Sequence, residues 1–355
     1  MRSTLLLILI IICSNVYSQS TEELVDSSNS FIESLGEENR TKLMYKFNDS
    51  LRTNWSNLPA GMVERPGLRI GDLSDPSKVK LHELLLTIFS SQGYLKTTSI
   101  MMLDDIVNSD IVEEAIKKEI IAIERLQQIK ELNWDYDNYY VSLWGKPEIK
   151  SPWGLKFEGH HLSINLTIDD EDISFTPMFI GVSPATIPFS KYTGLKILSK
   201  EEDYGFKLIN LLDQNQKEVA TINIEVPKDI ITNPKYSGRI TEYQGIKGEK
   251  LNSIQKKTLI NLIKEYVNNL EHDKAEEVML RIEKSGIDNI YFAWIGSYKK
   301  REPHYYIING PDFIIEYDNY GGIDGKGNHI HTIWREKSND FGEDILKKHH
   351  LNHKH

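Results

Sequence analysis

The chain has 355 residues, 52 acidic against 42 basic side chains, a net charge of -10 and one cysteine. That balance excludes an extended nucleic-acid surface, which needs clustered cations to neutralise phosphates. The lone Cys13 excludes a disulfide framework and sulfur-rich metal sites, so stability must come from packing, and metal ligands, where used, are nitrogen or oxygen.

At the N-terminus, Arg2 precedes the apolar run Leu5 to Ile12, and Val16-Tyr-Ser18 stands before Gln19. This pattern predicts a signal peptide over 1–18 and a secreted or periplasmic mature protein without cysteine. The apolar run is far short of the roughly 20 residues of a spanning helix, and no later segment approaches that length, so no permanent membrane span is expected. A lipoprotein anchor at Cys13 is the lesser alternative, because Ile12 occupies a position where that cleavage requires a small residue.

From residue 21 to 134 the apolar positions follow helical spacing: Leu43, Met44, Phe47 and Leu51, then Leu81, Leu84, Leu85, Ile88 and Phe89, with Ser77 as cap and Gly93 as stop. A longer third helix is predicted through Ile111, Ala115, Ile116, Ile120, Ile123, Leu126 and Ile129. Residues 135–288 mix strands and helices. Tyr139 to Trp144 reads as a strand, and His161 to Ile168 with Ile173 to Val182 as a hairpin about Asp169-Asp-Glu-Asp172. Helices follow after Ser199, through Leu259 to Leu270, and over Lys274 to Lys284 ahead of Gly286.

The segment 289–336 reads as a four-stranded antiparallel meander, Tyr291–Gly296, His304–Asn309, Phe313–Asp318 and His329–Glu336, followed by a His-rich tail over 345–355. The absence of repeats and low-complexity linkers predicts one α+β domain over 19–355. In it a helical N-terminal part packs on an antiparallel sheet that ends in the meander.

Two histidine segments carry the chemistry, His160-His161 and His329-Ile-His331. If the first is extended, a period of two puts His161, Ser163, Asn165 and Thr167 on one face and His160 on the other. The same rule sets His329 and His331 on one face. These two with His161 could grip one divalent metal ion, with Glu316 as carboxylate ligand and Asp318 as its substitute. Arg52 and Trp55, on one face of a helix, could bind an anionic or sugar-like ligand, and a structural Arg paired with a carboxylate is the alternative. Arg335 and Asp340 could form an internal ion pair. The tail histidines bind metals adventitiously and are no sign of a site. There is no Gly-x-Ser-x-Gly elbow and no phosphate-binding glycine loop before a lysine.

Several motifs in fixed order extend the picture. They are Arg52-Thr-Asn-Trp55 with Leu58-Pro59, Arg65-Pro-Gly-Leu68, Trp153-Gly-Leu-Lys-Phe-Glu-Gly-His-His-Leu-Ser-Ile-Asn165 and Thr176-Pro-Met-Phe-Ile-Gly-Val-Ser-Pro184. Tyr305-Tyr-Ile-Ile-Asn-Gly-Pro311 and His329-Ile-His-Thr-Ile-Trp-Arg335, with Asn339-Asp-Phe-Gly342 and Asp344, complete the set. Together they resemble the exported bacterial proteins catalogued as domain of unknown function 3500. The resemblance implies export and one continuous domain. It also marks His160, His161, Asn165, His329, His331, Arg335 and Asp340 as motif positions without assigning roles.

Three readings follow. The first is a secreted metal-dependent enzyme, hydrolase or oxidoreductase, with metal ligands His161, His329, His331 and Glu316. Its candidate catalytic residues are His160, Asn165, Arg335 and Asp340, and its candidate substrate contacts are Arg52, Trp55 and Trp153. The second is a non-catalytic extracellular or periplasmic protein binding a small molecule or glycan. The third is an envelope structural protein whose histidines only pack.

Overall fold

A computed structural model describes residues 21–234, 238, 240–322 and 327–352; the expected signal peptide, Cys13 and the last tail histidines lie outside them. Among the described residues thirteen strands form one sheet. They are β1 (Met44–Tyr45), β2 (Leu68–Arg69), β3 (Tyr140–Trp144), β4 (Trp153–Gly159), β5 (Leu162–Asp169), β6 (Asp172–Ser174) and β7 (Met178–Val182). The remainder are β8 (Thr221–Asn223), β9 (Ile246–Lys247), β10 (Tyr291–Gly296), β11 (His304–Asn309), β12 (Phe313–Asn319) and β13 (Ile330–Glu336). The main path runs β1-β3-β4-β5-β7-β13-β12-β11-β10-β8. All pairs are antiparallel except β1 with β3 and β8 with β10. This is a largely antiparallel α+β fold with the expected meander.

Alternation across the sheet sorts its two faces. One row crosses from Val141 through Phe157, Ile164, Met178, Trp334, Ile315 and Ile308 to Phe292. These side chains belong to the main apolar core, which also takes buried residues from the helices Asp75–Ile88, Ser91–Ile106, Ser199–Leu211, Ser253–Val267 and His272–Ser285. The opposite face is of another kind. It carries Lys156, Glu158, Ser163, Asn165, Glu316, Asp318, His331 and Arg335, all buried. Small apolar clusters on this face, such as Trp55 with Phe179, Ile230 and Ile333, lie under the segments around 50–66 and 222–234.

Several expectations are corrected. The helix Glu37–Leu43 stops where Met44 turns extended to pair with β3, so Phe47 and Leu51 continue no helix. Ser74, not Ser77, caps Asp75–Ile88, and Gly93 falls in the first turn of a further helix capped by Ser90. The long third helix is broken: a π turn over Val107–Ile111 leads into Val112–Lys117, and Leu126–Lys130 is separate. In the hairpin, the second strand divides into β6 and β7, and its register on β5 slips by one residue across Phe175–Pro177. The tail is helical over Glu343–Asn352, with Ile345 buried and His349 Nδ1 3.0 Å from Asp169. No helix among the described residues is long and apolar enough to cross a membrane.

His304, fully buried, stacks between Trp294 at 5.3 Å and Tyr317 at 5.4 Å. Burial pushes its pKa from 6.5 down to about 4, against a hydrogen bond with the Glu302 carbonyl. The unfolded chain therefore takes up a proton below pH 6.5 that folded His304 refuses until about pH 4. Its contribution is fully present above pH 6.5 and is lost over that window, about 3 kcal/mol in all. His304→Phe should flatten the stability profile between those limits in urea unfolding; an unchanged slope would contradict this assignment.

A candidate metal centre in the histidine row

The first histidine pair is not in a strand. Gly159 pairs with Leu162, so His160 and His161 form the two-residue turn joining β4 to β5, and His161 sits at φ +63°, in the left-handed region. That conformation is uncommon for a residue with a Cβ and costs of order 1 kcal/mol. Instead of pointing to opposite faces, the two rings lie against each other, tilted by 33° with centroids 3.7 Å apart.

The turn brings His161 over the end of the polar face. Its Nε2 lies 2.9 Å from His329 Nε2, and its ring is 5.4 Å from that of His331. One ligand nitrogen from each of the three falls within 4.8 Å of the others. Gly181, on β7 between them, makes this possible, since a Cβ there would come within 2.9 Å of both His161 and His331. Burial, then the neighbouring imidazoles, holds the pKa of His161 well below the ordinary range, and the same causes act on His329. Both rings are therefore neutral at pH 7 and keep a lone pair. His329 is the one of the three that keeps some solvent exposure.

Carboxylates flank the row on both sides. His331 Nδ1 is 2.7 Å from Asp229, whose carboxylate also accepts two hydrogen bonds from Asn57. Burial pushes Asp229 up, but the His331 and Asn57 hydrogen bonds more than offset it. Asp318, the cross-strand partner of His331, is buried, and burial with the charges of Asp229 and Glu316 raises its pKa well above the usual range. Asp229, Asp318 and His331 form a second group within 4.8 Å, and Asp104, His160 and His161 a third. His331 Nε2 and Asp318 Oδ1 are buried and have no hydrogen-bond partner among the described residues.

Other sequence candidates lie elsewhere. Glu316 is not beside the histidines: its carboxylate accepts from the Ile231 and Thr232 amides, at 2.7 and 3.0 Å, and from the Thr232 and Tyr305 hydroxyls. Trp153 belongs to the apolar core and forms no ligand wall. Asn165 bonds Ser163 and the Pro177 carbonyl. Arg335 pairs with Asp340 and bonds Thr232, fixing the end of β13. Arg52 and Trp55 share no helical face, because the short 3-10 turn Ser50–Thr53 ends before Trp55. Trp55 packs on Phe179 and borders a cleft of about 420 Å³ that also reaches Asn57, Arg65, Glu158 and Asp229.

Sequence reasoning missed Asp104, Asp229 and Gly181. Asp104 had a signal, a carboxylate on the stripe that buries Ile100, Met101 and Val107. It meets His160 Nδ1 at 2.9 Å and the Tyr139 hydroxyl at 2.8 Å. Gly181 was legible as a glycine inside a strand, which marks close approach. Asp229, in irregular backbone, had no periodic signal.

A family model described as "Protein of unknown function (DUF3500)" matches residues 17–343. No curated protein and no solved structure matches the chain.

Four donors converging on Glu316 make it the tie between the sheet and the 230–232 segment. Glu316→Gln should cost about 3 kcal/mol in chemical denaturation, because buried donors then face an amide NH₂. Hydrogen exchange should show the Ile231 and Thr232 amides losing protection before the meander does.

Proposed function

The chain belongs to the DUF3500 family, which carries no assigned activity, and from its own side chains we propose an exported metal-dependent enzyme, with a hydrolytic reaction as the simplest chemistry. The observation that carries this is the convergence of His161, His329 and His331 within 4.8 Å, with two of the rings held neutral. Nitrogen donors flanked by carboxylates, and no thiolate, suit zinc, iron, manganese or copper. Tetrahedral nitrogens at about 2.0–2.1 Å from an ion stand about 3.3 Å apart, so the 2.9 Å His161–His329 separation needs to widen by only a few tenths of an ångström. A bound divalent ion would supply an activated water.

The protein groups divide the remaining work. Asp229 accepts from His331 Nδ1, which fixes the tautomer of His331 and leaves the lone pair on Nε2. Asp318, with an unpartnered oxygen beside His331, is the group to take a proton from water. Asp104 and Tyr139 hold His160 against His161 and fix the turn. Export rests on the leader pattern of residues 1–18. A second reading, capture of a small molecule or glycan without turnover, is favoured by the cleft between Trp55 and Asp229.

The test uses the mature chain with His349, His350, His353 and His355 replaced by glutamine. Elemental analysis should find one tightly held metal per chain, absent from His329→Ala while the circular dichroism and cooperative melting persist. In the cobalt(II) form, Asp318→Asn should keep the metal and move the pH at which the visible band changes as bound water ionises. A metal-free chain after reconstitution would sink the proposal. Metal with no turnover of ester, phosphoester or glycoside substrates would leave the binding role.

A further inference from the structure

Three arginines sit under the polar face, Arg65 and Arg335 buried and Arg52 half-buried, and the two buried ones have carboxylates. Arg65 faces Glu158 at 3.8 Å, and Arg335 is paired with Asp340. Arg52 differs. Its Nη1 donates to the Thr167 hydroxyl at 3.0 Å and the Phe341 carbonyl at 2.8 Å, and its guanidinium lies 4.6 Å from the centre of the Phe47 ring. Among the described residues no carboxylate lies within 4.0 Å of it. Burial alone pulls its pKa down, with no acidic neighbour acting in the other direction. A second cation is close by: Lys156 is held down to about 8 by burial, and the charge of Arg52 adds to that depression.

Arg52 also lines a cleft of about 500 Å³ between the 52–55 segment and the C-terminal helix, with Trp55, Arg335, Phe341 and Lys347. Each acidic group on its wall has a cation beside it, Asp340 the buried Arg335 and Glu343 the exposed Lys347 at 3.1 Å, while Asp340 Oδ1 has no hydrogen bond among the described residues. A half-buried guanidinium with only neutral partners has lost part of its hydration without gaining a counter-charge, and an anion in fork geometry would offset that loss. We infer that Arg52 anchors an anion-binding subsite in this cleft, taking the carboxylate, sulfate or phosphate group of a small ligand. Trp55 and Pro234 border both this cleft and the one that reaches Asp229. A ligand held at Arg52 therefore has one wall in common with the cleft that reaches Asp229, the partner of His331. The inference does not depend on a metal being bound.

The experiment is calorimetric titration of the metal-free mature protein with inorganic phosphate, sulfate or benzoate at constant ionic strength in chloride. At least one should bind saturably, one per chain. Arg52→Gln should weaken that binding roughly tenfold or more, the worth of a charge-assisted hydrogen bond. Lys347→Glu, at the exposed rim, should weaken it severalfold without touching the bonds Arg52 makes, and it decides the matter if Arg52→Gln does not fold. Preference for benzoate over the tetrahedral ions, or the reverse, identifies the class of ligand. Weak, unsaturable binding of all three anions overturns the inference, as does unchanged affinity in the folded variants.

Discussion

The structure depends on one constraint: a row of charged side chains is buried on one face of the sheet and must be satisfied there. Ions taken out of water cost several kcal/mol each unless they are paired or hydrogen-bonded. Here the partners come from irregular backbone laid across the face. Lys156 donates to the Leu51 and Asn54 carbonyls, Glu316 accepts from Ile231 and Thr232, and Arg335 binds Thr232. The segments that form the cleft walls are thus tied down by polar bonds more than by apolar packing. They hold Trp55, Asn57 and Asp229 in place over the strands.

Among the described residues satisfaction is incomplete at several places on this face, Arg65 Nε, Glu158 Oε1, Asn165 Oδ1 and Asp340 Oδ1 included, and at one of them the two atoms come from cross-strand partners. Asp318 Oδ1 and His331 Nε2 are side by side across β12 and β13, where buried polar atoms normally find partners. Elsewhere on the same face Arg335 and Glu316 are bonded at both ends of their side-chain groups. A fold that secures Glu316 with four donors leaves Asp318, two residues along the same strand, with an oxygen unmatched. That contrast separates a carboxylate that holds a loop from one whose hydrogen bonding is incomplete.

How much of this was legible in the sequence depended on range. The meander strands were readable to within a residue because β-branched and aromatic residues alternate there between turn residues, and each strand is defined by its own neighbours. Parity grouped His329 with His331 and Glu316 with Asp318, but the register that sets Asp318 opposite His331 belongs to the fold. Nothing local reveals which loop descends on a given strand position. The His160-His161 turn was read as strand because neither residue is a usual turn former, and the left-handed position has no glycine or asparagine to announce it. The third helix looked continuous because its apolar spacing runs on through residues 118–122, where the backbone breaks.

Departures from local preference gather around the same three imidazoles. A histidine occupies a left-handed turn position, a glycine interrupts a buried strand, and titratable rings are packed in contact with one another. Each departure lowers stability: the turn by of order 1 kcal/mol, the strand glycine by lost packing, and the rings below pH 6.5, where the unfolded chain takes up protons that they refuse. Packing alone would be served better by a glycine or asparagine in the turn and an apolar side chain at 181, both of which would remove the cluster. The shared requirement that these costs meet is access of three nitrogens to one point, and Gly181 and the His161 turn are both needed to meet it.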